Sequence, residues 1–190
     1  MARIAFCLTG SYCTFAAAFA AMEKLAQRHD VQPIFSANAW TTDTRFGAAT
    51  DWIRSAREST EHEPWHTLTQ VEPIGPGGLF DLVIVAPCTG CTLAKLARGI
   101  TDTSVTMAAK AHLRNERPVL VGISTNDALS GSAENLGHLL GTRGYYFVPM
   151  RQDDAMGKPR SLVADFAQLE AAVDSALIGE QVQPILAMNN

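Results

Sequence analysis

The sequence predicts an α/β fold in which a doubly wound, mostly parallel sheet carries helices on both faces. Short apolar runs rich in β-branched residues alternate along the chain with longer segments whose apolar residues recur at helical spacing. The run at 82–85 is apolar throughout, which is typical of a parallel strand buried on both faces. Because right-handed crossovers place a helix between successive parallel strands, this alternation indicates a parallel sheet flanked by helices.

The same patterns define each element in chain order. Apolar segments predict strands at 4–8, 31–35, 82–86, 118–123 and 145–148. Helical spacing predicts helices at 14–28, 48–59, 93–98, 104–114, 132–140 and 161–177. Residues 38–47 are polar and predict a loop, 65–71 is weakly extended, and the prolines and glycines of 72–78 argue against regular structure. Pro87 is expected to end the third strand, and Asp102 to cap the helix that begins at 104.

Length and composition favour one domain that binds a small molecule. The 190 residues are 47% hydrophobic, enough for one substantial core, so we expect a single domain over 1–190. The net charge is −4 and the basic residues are spread along the chain, which argues against nucleic acid or an anionic membrane as partner. Residues 1–22 weakly resemble a secretory signal, but the polar stretch at 9–14 interrupts them, and we expect a cytoplasmic protein.

The four cysteines are expected to be reduced thiols, because a chain with a full core does not need disulfides to fold. Cys88 and Cys91 form a C-x-x-C pair that could instead be redox-active. They could also supply half of a zinc site completed by Cys7 and Cys13. The prediction is that no metal is bound.

Small polar residues follow four of the predicted strands. They are Gly10 and Ser11, Ser36, Cys88 to Gly90, and Ser124 to Asn126. In doubly wound sheets ligands bind outside the carboxyl ends of the strands, so these residues are expected to converge. The stretch from Cys88 to Thr92 also opens a helix, whose free N–H groups suit an anion or a flat polar heterocycle.

The segment APCTGCTLAKLARGITDT at 86–103 resembles the PASANT-type segment of the homo-oligomeric flavin-containing cysteine decarboxylases. STNDAL at 124–129 occupies the place of that family's PxMNxxMW segment and keeps its asparagine as Asn126. The resemblance implies a Rossmann-like flavoprotein fold that binds FMN. It also implies a homo-oligomer, a trimer or a multiple of it, for which the helix at 104–112 is the expected buried seam.

Six segments extend the resemblance over nearly the whole chain. They are GSYCTF at 10–15, TDTRFG at 42–47, EPIGP at 72–76, TMAAKAHLRN at 106–115, ISTNDAL at 123–129 and YFVPMRQDD at 146–154. Within the family they are similar to the flavoprotein subunits of two-subunit enzymes that oxidise a dihydropyridine dicarboxylate to pyridine-2,6-dicarboxylate for sporulation. That similarity implies a dehydrogenase-type partner subunit that binds NAD(P), since this chain has no GxGxxG fingerprint.

Two other functions stay open on the sequence: a stand-alone FMN-dependent decarboxylase and a non-catalytic flavin-binding subunit. The decarboxylases carry a catalytic histidine at about the position of Pro73, so the first alternative lacks its histidine here. Cys91 replaces the asparagine of the PASANT segment, and Thr125 replaces the methionine before the shared asparagine. Contacts that those two family residues make therefore do not carry over.

The resemblance and the chemistry of FMN together assign the candidate cofactor residues. Ser11, beside Gly10, can donate to the phosphate at a helix start, and Ser36 resembles the family's second phosphate-binding hydroxyl. Turn or capping roles for both serines are the alternative. The ribityl chain and ring are assigned to Cys88, Thr89, Gly90, Thr92, Ser124, Thr125 and Asn126.

A dicarboxylate substrate calls for cations with planar, bidentate geometry. Arg45 and Arg114 are the candidates, with Asn126 as a further substrate contact. The general base is not identified by the sequence, and His66 and His112 are weak candidates.

Overall fold

The computed structural model describes residues 1–187, and within them a seven-stranded sheet forms the centre of the fold. The strands are β1 (Arg3–Leu8), β2 (Asp30–Phe35), β3 (Leu82–Cys88), β4 (Val119–Thr125), β5 (Tyr145–Phe147), β6 (Met150–Arg151) and β7 (Leu162–Ala164). The helices are α1 (Phe15–Ala26), α2 (Ala37–Thr41), α3 (Ala49–Thr60), α4 (Leu68–Val71), α5 (Ile74–Gly77), α6 (Gly90–Ala97), α7 (Ser104–Leu113), α8 (Ala133–Leu140) and α9 (Leu169–Leu177). The last three residues of the predicted domain lie outside the described residues.

The sheet has the doubly wound order β2-β1-β3-β4-β5, and all pairs along it are parallel. From β1 the chain moves first towards β2 and then, after β3, towards β4 and β5. The order therefore reverses between β1 and β3, which is where such sheets leave a crevice at the carboxyl ends of their strands. The predicted fold class is confirmed.

Strand β4 has two different partners along its length. Its first half, Val119–Val121, pairs in parallel with β5. Its last residues, Ser124 and Thr125, pair antiparallel with Val163 and Leu162 of β7, which in turn pairs with β6. At the carboxyl edge of the sheet, the last residues of β4 are therefore paired with the antiparallel hairpin of β6 and β7.

Side chains that alternate along the central strands separate two apolar layers. One layer contains Phe6 and Ile84 with residues of α1 and α9, and the other contains Val83 and Val85 with residues of α6, α7 and α8. Every residue of β3 is buried, as the unbroken apolar run predicts. Helices therefore cover both faces of the sheet.

Several predicted element boundaries are wrong. Pro87 lies inside β3 rather than at its end, and the register with β4 shifts between Val85 and Cys88, so the missing N–H falls at an irregularity. Short helices occupy parts of 38–47 and 72–78, and the turn at 68–71 is helical rather than extended. The predicted helix at 161–177 divides into β7, a 3₁₀ turn and α9.

The start of α7 also differs from the prediction. Thr103, not Asp102, caps it, because the Thr103 hydroxyl accepts from the N–H of Thr106 while Asp102 binds the ammonium of Lys95. Most of the expected seam is buried inside the chain itself: Ser104, Val105, Thr106, Ala108, Ala109 and His112. Among residues 1–187, no helix is both long and apolar enough to cross a membrane.

Candidate functional site

Hydroxyl groups from two distant loops meet at the carboxyl edge of the sheet. Ser11, after β1, lies with its Oγ 2.8 Å from the Oγ of Ser124 at the end of β4. The Thr14 hydroxyl is 3.0 Å from the same Ser124 oxygen. Ser124 is buried while Ser11 and Thr14 are half-buried, so the group is partly exposed at the edge where the fold predicts a crevice between β1 and β3. The predicted convergence of Ser11 and Ser124 is thus present in the structure.

Thr9 joins β1 to β3 where the strand order reverses. Its hydroxyl donates to the carbonyl of Pro87 at 2.6 Å and accepts from the N–H of Thr89 at 3.1 Å. The side chain is 2% exposed, so these bonds are shielded from water. Sequence reasoning did not assign Thr9 to the site, although it directly precedes Gly10 and Ser11.

The amino end of α6 points its free N–H groups towards this edge. Thr89 is the N-cap, and its Oγ accepts from the N–H of Thr92 at 3.2 Å. The N–H groups of Gly90 and Cys91 come earlier in the first turn, where an α-helix supplies no acceptor. Together with the helix dipole they form a favourable environment for an anionic or strongly polar group.

Gly90 packs against the carboxylate of Asp127 and the hydroxyls of Thr125 and Ser132, here called the Asp127 cluster, which sequence reasoning did not assign to the site. Asp127 Oδ1 accepts from the hydroxyls of Thr125 at 2.6 Å and Ser132 at 3.0 Å. A Cβ at Gly90 would lie 2.8 Å from Ser132 Oγ and 2.9 Å from both Asp127 Oδ1 and Thr125 Oγ1. A side chain at this position would therefore displace at least one of the three oxygens.

Ser36 has the capping role that was its alternative interpretation. Its Oγ accepts from the N–H of Ala39 at 3.3 Å, at the start of α2. Tyr12 donates its hydroxyl to the carbonyl of Asn38 at 2.8 Å, which links the loop after β1 to α2. The half-buried Ser36 thus lies at the same edge as Ser11, and its hydroxyl proton is still available to a ligand.

Cys88, Asn126 and Gly10 differ in how far their side chain or local packing suits the predicted cofactor role. The Cys88 side chain is fully buried in an apolar layer, which raises the pKa of its thiol, so only its backbone can serve a ligand. Asn126 is exposed at the end of β4. A Cβ at Gly10 would make ordinary contact with Tyr12 at 3.4 Å, so the local packing does not demand glycine.

The thiols do not form a disulfide. All four cysteines are free, with Cys7 and Cys88 buried and Cys13 and Cys91 exposed. Within residues 1–187, no three histidine, cysteine or acidic side chains are grouped so as to hold a metal ion.

Two of the predicted substrate and catalytic residues lie at the carboxyl edge, on the side of β2. Arg45 is exposed in the loop after α2, with its guanidinium 4.9 Å from the centre of the Phe46 ring. His66 follows Trp65, which pairs in parallel with Ile34 near the end of β2. Its ring stacks on Trp40 at 3.8 Å, and its buried Nδ1 has no hydrogen-bond partner within the described residues.

Arg114 and His112, which were also predicted to bind substrate or act as the base, are separated from this edge. Helix α7 starts beside the end of β2, where the Ser104 hydroxyl donates to the carbonyl of Phe35 at 2.7 Å, and runs to the opposite edge. His112 is buried there, and burial together with the charge of Arg117 lowers its pKa to about 4. The assignments of Arg114 and His112 to this site are therefore corrected, since the direction of α7 carries them away.

The loop between β6 and β7 lies beside the crevice and brings further charge. The N–H of Leu129 donates to the carbonyl of Arg160 at 2.9 Å, which ties this loop to the segment after β4. Lys158 donates to Asp153 at 2.8 Å, a bond that raises the pKa of the lysine and lowers that of the carboxyl. Sequence reasoning predicted a helix from 161 and so did not place this loop at the edge.

A comparison with known families tests the fold and the family resemblance. A family model described as Flavoprotein matches residues 1–144. The chain belongs to the flavoprotein family. The family resemblance predicted from the sequence is confirmed.

Individual relatives narrow the similarity. The chain is 43% identical over 188 residues to a dipicolinate synthase subunit of Bacillus subtilis (strain 168), covering 98% of this chain and 94% of that protein. A crystal structure of the same dipicolinate synthase subunit from Bacillus halodurans C matches with a TM-score of 0.91 and 40% identity, over 100% of this chain and 97% of the other. The FMN-dependent cysteine decarboxylase SpaF shares the fold, with a TM-score of 0.70 and 21% identity over 93% and 95% of the two chains.

Proposed function

We propose that this chain is the FMN-binding subunit of a dipicolinate-synthase-type enzyme. With a dehydrogenase-type partner that binds NAD(P), it takes part in oxidising a dihydropyridine dicarboxylate to pyridine-2,6-dicarboxylate for sporulation, in the cytoplasm. The near full-length similarity to the dipicolinate synthase subunits of the two Bacillus species supports this assignment. The observation that carries it is the contact between Ser11 and Ser124, which brings separate strand ends into one hydroxyl-lined crevice.

The residues at the edge fit the chemistry of FMN. Neutral hydroxyls and backbone N–H groups predominate there, as a phosphate and a ribityl chain require. Asp127 is engaged by two hydroxyls and fixes the orientation of Thr125. The phosphate would be held by Ser11 and Ser36 beside Gly10. The ribityl chain and ring would be held by the Cys88 backbone, Thr89, Gly90, Thr92, Ser124, Thr125 and Asn126.

FMN would supply a two-electron acceptor for the dihydropyridine ring, and the NAD(P)⁺ of the partner subunit would be the final acceptor of those electrons. The chain's own residues would bind and orient the substrate and accept the remaining proton. Arg45 is the predicted substrate residue that lies at this edge, and Asn126 offers an exposed amide at the end of β4. His66 is the predicted general base that lies here, with its ring orientation fixed by the stack on Trp40.

An absorbance titration of the purified full-length chain with FMN tests the cofactor assignment. Saturable binding is expected, and Ser124→Ala should weaken it by about fivefold because one hydrogen bond contributes about 1 kcal/mol. Ser59→Ala is the matched control, since that hydroxyl bonds only within α3. Absence of FMN binding, or equal binding by the Ser124 variant and the parent protein, contradicts the assignment of this crevice.

The reaction is tested by adding the dihydropyridine precursor and the dehydrogenase-type partner. Loss of flavin absorbance on mixing supports a redox role in this chain. Carbon dioxide release from a cysteine-type acid without the partner would instead favour a decarboxylase. Bound flavin whose absorbance stays the same with precursor and partner would favour a non-catalytic role. Sedimentation of the same sample tests the proposed homo-oligomer.

A further inference from the structure

A second cavity, of about 330 Å³, lies away from the proposed flavin crevice. It is formed by the end of α6, the loop that follows, the outer side of α7 and the first residue of β5. Its lining includes Leu96, Ile100, Leu113 and Tyr145 together with Lys110 and Arg114. None of these residues takes part in the hydroxyl network of Ser11, Thr14 and Ser124.

The floor of this groove is apolar and its rim is partly exposed. Leu96 is buried and Leu113 and Tyr145 are half-buried, while Ile100 on the loop after α6 is 47% exposed. Apolar surface of this kind gains free energy when a ligand removes it from water. The volume lies at the small end of ligand pockets, about 300–1,000 Å³, and so suits a compact ligand rather than a protein segment.

The lining of this groove includes two cationic side chains that form no salt bridge within the described residues. Lys110 and Arg114 are four residues apart at the end of α7, so their side chains share one face of the helix. Neither forms a salt bridge within residues 1–187, whereas the third cation of the lining, Lys95, is held by Asp102 at 2.8 Å. The groove therefore combines a local excess of positive charge with an apolar base in a chain whose net charge is −4.

Tyr145 adds a polar contact inside the groove. Burial raises the pKa of its phenol to about 12, so the hydroxyl keeps its proton at neutral pH and can donate to an acceptor. Its ring adds apolar area to the lining. The lining thus combines two cations, a hydroxyl donor and apolar side chains, which together suit a small aromatic anion.

We propose that this groove is a binding site for a single-ring aromatic carboxylate, with the carboxylate at Lys110 and Arg114 and the ring on Leu96 and Tyr145. Arg114 carries the charge to bind a carboxylate but lies away from the flavin crevice. The proposed groove gives it a carboxylate to bind. It depends on residues separate from that crevice, so it stands or falls independently of the proposed function.

Calorimetric titration of the full-length protein with benzoate at low salt tests the proposal, with benzyl alcohol as the uncharged ligand of similar shape. Benzoate is expected to bind at least tenfold more tightly than benzyl alcohol. The double variant Lys110→Gln/Arg114→Gln should lose at least tenfold in benzoate affinity, and Tyr145→Phe should lose less. Arg143→Gln is the matched control, because that arginine lines a different groove, and it should bind as the parent does.

Equal affinity for the two ligands, or undiminished benzoate binding by the double variant, overturns the proposal. Failure of benzoate to bind also overturns it. If the double variant then changes the sedimentation of the protein, a second copy of the chain is the occupant of the groove. FMN titration of the double variant should match the parent, which separates this result from any failure of the flavin assignment.

Discussion

Replacing Gly90 by alanine should destabilise the protein although alanine favours helices. The new Cβ would lie 2.8–2.9 Å from three oxygens, of which the hydroxyls of Thr125 and Ser132 both donate to the carboxylate of Asp127, so one of them must move. Overpacking of this kind costs about 1–3 kcal/mol. The higher helix propensity of alanine returns about 0.5–1 kcal/mol. The two ranges leave a net loss of about 0–2.5 kcal/mol, centred on about 1 kcal/mol.

Thermal unfolding followed by circular dichroism measures this loss. For a chain of this length 1 kcal/mol corresponds to about 2–4 °C, so the central estimate for Gly90→Ala is a Tm lowered by about 2–4 °C, with about 10 °C as the upper bound. Gly137→Ala is the matched control, because a Cβ there meets nothing within 4 Å and lies inside α8. It should raise stability by about 0.5–1 kcal/mol. If both variants shift Tm upwards alike, the close packing around Gly90 is refuted.

Three further predictions concern charge. Ser36→Asp should keep the cap on α2, since aspartate also caps helices, yet abolish FMN binding by placing a carboxylate near the phosphate; unchanged flavin affinity with unchanged Tm would contradict this. Arg45→Ala should weaken binding of pyridine-2,6-dicarboxylate by calorimetry and leave flavin affinity intact, whereas equal binding by parent and variant would remove Arg45 from the site. His112 has a folded pKa of about 4, below its usual 6.5, so the unfolded state binds the extra proton as pH falls from 6.5 to 4. Stability should then fall by up to about 1.4 kcal/mol per pH unit, and His112→Gln should flatten this slope in urea titrations; an equally steep slope would refute the role of His112.

The fold was predictable because local patterns determine it directly. The apolar run of β3 and the helical spacing of α1 lie within short windows of sequence, and parallel order follows from their alternation. Segment 161–177 was misread because the apolar residues of β7 continue into those of α9 at a spacing that also suits a helix. The pairing of Leu162 with Thr125 decides the matter, and it is a long-range contact.

The parts of the candidate site that directly follow a strand were predictable from the sequence. Ser11 and Ser124 follow strands, so their convergence follows from topology. The Asp127 cluster was not predictable, because its bonds to Thr125 and Ser132 depend on how the loop after β4 folds back. Arg114 was misplaced because a helix of ten residues extends about 15 Å, from one edge of the sheet towards the other.

The hairpin that completes β4 lies beyond residue 144, where the family model ends. The backbone of Ser124 and Thr125 is thus braced by a part of the chain that is not described by the shared family pattern. Changes in length or sequence between 150 and 164 can consequently reshape one wall of the crevice while the common strands keep their positions. Substitutions in the β6–β7 hairpin are therefore a way to alter this wall separately from the central strands.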